Sequence, residues 1–175
     1  RIPKNPFLIS GYVSKEYFCD RDQETARLYS AMQNERNVVL ISPRRMGKTG
    51  LISHLFASVP EREAYCIYVD LYKTTCLREC VECLAKSVVG NCGSPSLREK
   101  IIQALQSLRF SFSSDPITGT PEIGVSVVEA QSEISLQQIF DYMEQADKPV
   151  YVALDEFQQI QYYPEVKVEE TLRTY

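Results

Sequence analysis

The stretch SPRRMGKT, residues 42–49, decides the interpretation of this chain. It follows the apolar run NVVLIS, residues 37–42, and precedes an amphipathic segment, which predicts a phosphate-binding loop between a parallel strand and a helix. In such a loop successive backbone N–H groups form an anion-binding nest, and the following helix adds the positive end of its dipole. We therefore predict that Lys48 reaches the terminal phosphates of a nucleotide and that Thr49 holds Mg²⁺ through its hydroxyl.

The loop matches the pattern GxxxxGK[ST] with one departure, since Ser42 stands at the first glycine position. Serine adopts left-handed dihedral angles only at a cost, so ordinary backbone angles are expected there. Gly47 matters more, because a side chain at that position would stand between the backbone and the phosphate. The predicted nucleotide-contacting residues are the loop and the residue after it: Ser42, Pro43, Arg44, Arg45, Met46, Gly47, Lys48, Thr49 and Gly50.

A second motif lies near the end of the chain, where the run VYVAL is followed by Asp155 and Glu156. Five apolar residues that end in an acid place Asp155 at the carboxyl edge of a parallel strand, where open α/β sheets bind ligands. There Asp155 can position Mg²⁺, and Glu156 can act as general base or orient the attacking water. Both acids could instead mark the polar end of a buried strand, but their combination with the upstream loop favours a nucleotide site. Lys48 and Glu156 are thus the predicted catalytic residues.

The order of the predicted strands narrows the class of protein. One other buried strand, AYCIYVDL at residues 64–71, lies between the loop strand and the acidic strand. This order is expected of P-loop ATPases with an additional catalytic glutamate. A nucleotide or metabolite kinase usually has its acidic strand elsewhere and lacks the second acid, so water is the favoured phosphoryl acceptor.

The remaining patterns predict helices and a hairpin around these strands, and hence an α/β fold. Asp20 with Gln23, and Ser135 with Gln138, predict capping boxes at two helix starts, the second with a staple of Ile134 and Ile139. Apolar spacing predicts further helices after the loop, over about 75–89 and over about 97–108. Period-two alternation over 110–128 around the turn DPITGTP predicts a β-hairpin, either a partner-binding addition or a cover for a sheet edge.

Four segments together resemble the archaeal-type AAA-like ATPases of prokaryotes, relatives of the AAA+ and STAND groups: NPFLISGYVSKEYFCDRDQE, SPRRMGKTGLISHLF, DPITGTP and VYVALDEFQQI. The resemblance covers about residues 5–175. It implies a three-layer P-loop NTPase core with a parallel sheet, to which the hairpin is an insertion. It also implies the cofactors ATP and Mg²⁺, with roles carried over to these residues: Lys48 and Thr49 at phosphate and magnesium, Asp155 at magnesium, Glu156 as catalytic glutamate, and Tyr17, Phe18 and Arg21 near the adenine.

By that resemblance, residues 1–175 are expected to be the N-terminal part of a P-loop ATPase domain, with residues 1–20 leading to the adenine. Such ATPases have a fourth strand between the loop strand and the acidic strand, a lid and usually an arginine finger, and we expect these after Tyr175. An arginine finger alone contributes about 10³ to 10⁵ in rate, so this segment is expected to bind nucleotide but to turn it over poorly.

The composition of the chain limits the kinds of binding partner that are expected. The formal net charge is −4, which argues against a strongly basic nucleic-acid binder. No window approaches the roughly 20 apolar residues that cross a bilayer, so no membrane partner and a cytoplasmic location are expected. A homo-oligomer or a protein partner is compatible with the family.

Cysteines and other polar residues near these motifs have competing interpretations. Cys76, Cys80 and Cys83 are spaced at i, i+4 and i+7 on a predicted helix, which favours a buried stripe over a zinc site even with Cys92 nearby. His54 is predicted to be structural or on the surface. Arg44 and Arg45 could contact phosphate or a neighbouring subunit, or be solvated.

Three functions are compatible with these motifs. The leading hypothesis is an AAA-like ATPase that hydrolyses ATP with Mg²⁺ to drive a conformational switch. The alternatives are a non-hydrolysing, nucleotide-dependent interaction or signalling module, and a small-molecule kinase.

Overall fold

The computed structural model describes residues 12, 14, 18, 20–43, 46–91, 102, 108–114, 121–165 and 168–173. The chain has a mixed α/β fold with a small parallel sheet and several helices. It divides into two compact units, Arg1–Ala64 and Tyr65–Tyr175. The first unit contains the predicted phosphate loop, and the second contains the predicted acidic strand.

The described elements follow one another in mixed order along the chain. They are helices α1 (Asp22–Gln33) and α2 (Lys48–Ser58), strand β1 (Tyr65–Asp70), helix α3 (Leu77–Gly90), strands β2 (Leu108–Ser114) and β3 (Pro121–Val127), helix α4 (Ser132–Glu144), strand β4 (Val150–Asp155) and helix α5 (Val168–Arg173). Short 3₁₀ turns at Glu129–Gln131 and Phe157–Tyr162 precede α4 and follow β4.

The first unit is helical in its described part, where α1 and α2 pack against each other. Helix α1 has Arg21 at its N-cap position, and no side chain caps it from there. The predicted capping box at Asp20 is wrong, because Asp20 adopts a left-handed backbone with φ of 62°. An N-cap residue normally adopts the extended region, from which its side chain can reach the first free N–H groups.

The strand predicted over residues 37–42 is not formed in the described part of the first unit. The side chains of Val39 and Ile41 are 78% and 91% exposed. A strand is stabilised by backbone hydrogen bonds to a neighbouring strand, and the described residues of this unit provide helices only. Apolar, β-branched residues alone are therefore insufficient to form the strand.

The parallel sheet of the second unit pairs β1 with β4 and confirms both predicted strands. Their register runs from Tyr65 opposite Val150 to Asp70 opposite Asp155. The run of β-branched and aromatic residues in both segments suits such a pleated pairing. The sequence predicted β4 to be a buried strand. In the structure, every residue of β4 before Asp155 is half-buried.

Helices α3 and α4 form the core of the second unit together with one face of the sheet. The core includes Ile67 and Val69 of β1, Leu84 of α3, and Leu136 and Ile139 of α4, all of them nearly inaccessible to solvent. Helix α3 confirms the helix predicted over 75–89, since its apolar residues recur at helical spacing.

The start of α4 differs from the prediction. The helix begins at Ser132, so Ser135 lies within the first turn and donates a hydrogen bond to the carbonyl of Gln131 at 2.8 Å. Ile134 is 56% exposed. The predicted capping box and hydrophobic staple are therefore wrong, because the chain enters the helix four residues earlier than that pattern requires.

The predicted β-hairpin is confirmed by antiparallel pairing of β2 with β3, in which Phe110 lies opposite Val125. Strand β3 packs against α3, where Val127 is buried and donates its N–H to Glu82 Oε1 at 3.0 Å. Strand β3 therefore contributes to the core of this unit. Its turn and the helix predicted over 97–108 lie largely outside the described residues.

Candidate functional site

Gly47, at the end of the predicted phosphate loop, has a left-handed backbone. Gly47 is the N-cap of α2 and adopts a left-handed conformation with φ of 70° and ψ of 26°. A Cβ atom at this position would lie 3.4 Å from Arg21 Nη1 in addition to the strain of the positive φ. The first N–H groups of a helix have no intrahelical partner, and glycine has no side chain to cap them. Helix N-termini of this kind bind anions in many proteins.

Lys48, the first residue of α2, folds back over the loop. Its ammonium group donates to the carbonyl of Ser42 at 3.0 Å and to that of Pro43 at 3.4 Å. The side chain thereby links residue 48 to residues 42 and 43. Hydrogen bonds from an ammonium to an anion are stronger than those to a neutral carbonyl, so a phosphate can replace these two acceptors.

The other predicted loop residues lie around this turn. Met46 and Thr49 are exposed, and Gly50 is in α2, where an added Cβ would lie 3.8 Å from the ring of Phe18. Arg44 and Arg45 lie outside the described residues. The predicted contacts of Ser42, Pro43, Met46, Gly47, Lys48, Thr49 and Gly50 are thus gathered at the start of one helix.

Residues that the family resemblance places near the adenine contact the loop and α2. The ring of Phe18 stacks on the imidazole of His54 with centroids 4.1 Å apart, and the hydroxyl of Tyr12 lies 3.2 Å from His54 Nδ1. His54 is only 5% exposed, which agrees with a structural role. Arg21 contacts the loop backbone itself, and Tyr17 lies outside the described residues.

The acidic edge of the sheet is built around Asp155, the last residue of β4. Asp155 is 8% exposed; its Oδ2 accepts a hydrogen bond from the Tyr68 hydroxyl at 2.7 Å, and its Oδ1 accepts one from the N–H of Glu156 at 2.9 Å. Glu156 adopts a left-handed backbone with φ of 53°, and its Oε2 accepts a hydrogen bond from Gln158 Nε2. The chain thus changes direction at the end of the strand.

Asp70 is a residue that the sequence reasoning missed. It ends β1 and is the register partner of Asp155, so both acids lie at the carboxyl edge of the sheet and on the same face. Its Oδ1 accepts a hydrogen bond from the N–H of Tyr72 at 2.9 Å. The available signal was the run AYCIYVD, which ends in an acid as VYVALD does.

Protein ligands for a metal are few at this edge. Among the described residues, no group of three His, Cys, Asp or Glu side chains could hold a metal ion. Mg²⁺ in nucleotide sites is usually bound through one or two carboxylates, substrate phosphates and waters, which suits the donors present here.

Of the two cysteines in α3, Cys80 is buried and Cys83 is half-buried. Cys80 is 2% exposed, and burial raises its pKa to about 12; burial also raises the pKa of Cys66 to about 11 and that of Cys83. The thiol of Cys83 donates to the carbonyl of Asp70 at 3.5 Å. Cys76 lies at the N-cap position of α3 and is half-buried, and Cys92 lies outside the described residues.

We expect Cys80 to resist alkylation in the native protein at pH 8. The thiolate is the reactive form, and a pKa of about 12 leaves about one thiol in ten thousand ionised at that pH. Peptide mapping after N-ethylmaleimide treatment should show Cys80 unmodified in the native state and modified in guanidinium, with the half-buried Cys76 as internal comparison. Equal modification of both cysteines in the native state would contradict the burial of Cys80.

Comparison with protein-family models, with curated proteins and with solved structures gave no match to this chain. In the part of the chain that the structure describes, no helix combines the length and apolar character needed to span a membrane.

Proposed function

We propose that this chain is the ATP-binding part of an AAA-like P-loop ATPase, which in the full-length protein hydrolyses ATP with Mg²⁺ to drive a conformational switch. The observation that carries the proposal is the start of α2. Gly47 is left-handed there, and the Lys48 ammonium donates to the carbonyls of Ser42 and Pro43. The left-handed turn requires a glycine, and a lysine follows it directly at the N-terminus of a helix. P-loops bind phosphate with this arrangement.

Phosphate binding follows from the groups at this helix start. The N–H groups of the loop and the first turn of α2 donate to phosphate oxygens, and the helix dipole favours their negative charge. Lys48 exchanges the carbonyls of Ser42 and Pro43 for phosphate oxygens, which its half-buried position permits after a side-chain rotation. Thr49, the next residue, supplies a hydroxyl for Mg²⁺.

The acidic edge supplies the remaining chemistry in the proposal. Asp155 is oriented from two sides, by the Tyr68 hydroxyl and by the Glu156 N–H, which is the support that a metal-positioning carboxylate needs. Mg²⁺ would neutralise charge on the phosphates. Glu156 extends from the strand end and accepts the proton of the attacking water as general base.

The fold is compatible with a P-loop core. A parallel pair of strands whose carboxyl edge carries acids is the sheet arrangement of nucleotide-binding α/β proteins.

The magnesium assignment is tested by replacing Asp155 with asparagine in the full-length protein. The substitution preserves shape but removes the charge, so we expect it to remove most of the Mg²⁺-dependent gain in ATP affinity, about tenfold, and to leave Mg²⁺-free binding unchanged. Isothermal calorimetry with and without Mg²⁺ measures both quantities. Asp141→Asn on the exposed face of α4 is the matched control. An unchanged Mg²⁺ response in Asp155→Asn would refute the role of Asp155.

A further inference from the structure

Arg21 donates hydrogen bonds to the backbone of the phosphate loop. Its Nη1 atom donates to the carbonyl of Met46 at 2.9 Å and to that of Gly47 at 3.3 Å. Its Nε and Nη2 atoms both contact Glu24 Oε1, at 3.2 and 3.0 Å. One guanidinium therefore links the start of α1 to the last two residues before α2.

The direction of these carbonyls determines the direction of the neighbouring N–H groups. In a planar trans peptide, the C=O of one residue and the N–H of the next point in opposite directions, and no cis peptide occurs among the described residues. Because the carbonyl of Met46 accepts from Arg21, the N–H of Gly47 points away from the guanidinium. The carbonyl of Gly47 also accepts from the N–H of Leu51 at 2.9 Å, so the N–H of Lys48 points out of the helix start.

We propose that Arg21 is a positioning residue of the phosphate loop, which holds the carbonyls of Met46 and Gly47 so that the N–H groups of Gly47 and Lys48 face the phosphate. The inference rests on the proposed function and adds a role that the resemblance does not give, since the resemblance places Arg21 near the adenine. The fork of the guanidinium suits this role, because it donates to the loop and to Glu24 at once. Anion binding then needs less reorganisation of the loop backbone.

A Cβ at residue 47 would lie 3.4 Å from Arg21 Nη1, which is an ordinary contact, so the positive φ rather than the guanidinium requires a glycine here. Arg21 contacts the loop at the carbonyls of Met46 and Gly47, and Lys48 contacts it at the carbonyl of Ser42. Removing Arg21 leaves the loop sequence intact but frees the carbonyl of Met46, while the carbonyl of Gly47 keeps its hydrogen bond from the N–H of Leu51.

The test measures binding of inorganic tripolyphosphate and of ATP to the full-length protein. Tripolyphosphate has no base, so it reports on the loop alone. Arg21→Ala is expected to lower the affinity for both ligands to the same extent, about tenfold, because charge-assisted hydrogen bonds that order the loop are lost. Arg21→Lys should restore part of the affinity, since an ammonium can reach the carbonyls but lacks the fork. Arg27→Ala, which removes an exposed arginine from the same helix, controls for the change in net charge.

Each outcome decides the role of Arg21. A weaker affinity for ATP with unchanged tripolyphosphate binding would assign Arg21 to the base and overturn the inference. If Lys48→Ala loses tripolyphosphate binding while Arg21→Ala matches Arg27→Ala, the positioning role fails and the proposed function stands. If Lys48→Ala leaves both ligands bound as in the wild type, the proposed function fails and the inference fails with it. If circular dichroism shows that Arg21→Ala is unfolded, the same comparison is made with Arg21→Lys. Wild-type affinity for both ligands in Arg21→Lys would show that the guanidinium fork is not needed.

Discussion

Replacing Lys48 with alanine is expected to abolish measurable ATP binding, with a loss of affinity of about 100-fold or more. The ammonium is the mobile charge of the loop, held at 3.0 Å from the carbonyl of Ser42 and free to exchange that acceptor for a phosphate oxygen. Alanine removes both the charge and the hydrogen bonds, while the left-handed turn at Gly47 and helix α2 are kept. Alanine also has the highest helix propensity, so α2 should remain stable.

Fluorescence titration with a labelled ATP analogue measures this loss. Lys86→Ala, at an exposed position of α3, is the matched control and should bind as the wild type does. Thermal unfolding of both variants without nucleotide separates a binding defect from a folding defect. Wild-type ATP affinity in folded Lys48→Ala would show that the loop is not the phosphate site.

Replacing Glu156 with glutamine is expected to preserve ATP binding and to lower the hydrolysis rate by about 10²- to 10⁴-fold. Glutamine has nearly the same shape, and its Oε1 can still accept the hydrogen bond from Gln158 that Glu156 Oε2 accepts in the structure. It cannot take a proton from the attacking water. The substitution therefore separates the binding of ATP from its hydrolysis.

Phosphate release and ATP affinity should be measured together for Glu156→Gln, with Glu144→Gln at the exposed end of α4 as control. Hydrolysis at the wild-type rate would exclude Glu156 as general base. Wild-type protein that binds ATP but releases no phosphate would favour the nucleotide-dependent interaction module. Transfer of the phosphoryl group to a small molecule, with little transfer to water, would favour the kinase.

The strands of the sheet and the hairpin were predictable because their patterns are local. Five apolar residues before Asp155, a similar run before Asp70, and the alternation of Ile123, Val125 and Val127 each predict a strand from consecutive residues. Helix α3 followed from the helical spacing of its apolar residues. In these elements the same local pattern also fills the core, so local preference and packing agree.

The predictions failed where a local pattern needs a partner or competes with an alternative. Both predicted capping boxes had suitable residues, yet Asp20 is left-handed and Ser135 lies inside the first turn of α4. Side-chain caps contribute only about 1 kcal/mol, so packing of the following helix can move its start. The run at residues 37–42 has strand propensity but no hydrogen-bonding neighbour among the described residues.

The sequence by itself predicted the two parallel strands, the acid that ends β4, the hairpin and helix α3. These properties depend on residue type and on neighbours along the chain. Only the tertiary structure decided that Arg21 binds the loop carbonyls, that Tyr68 holds Asp155, and that Asp70 stands opposite it. These contacts join residues 25 to 87 positions apart, and their geometry is set by strand register and helix packing, on which the local pattern of either partner carries no information.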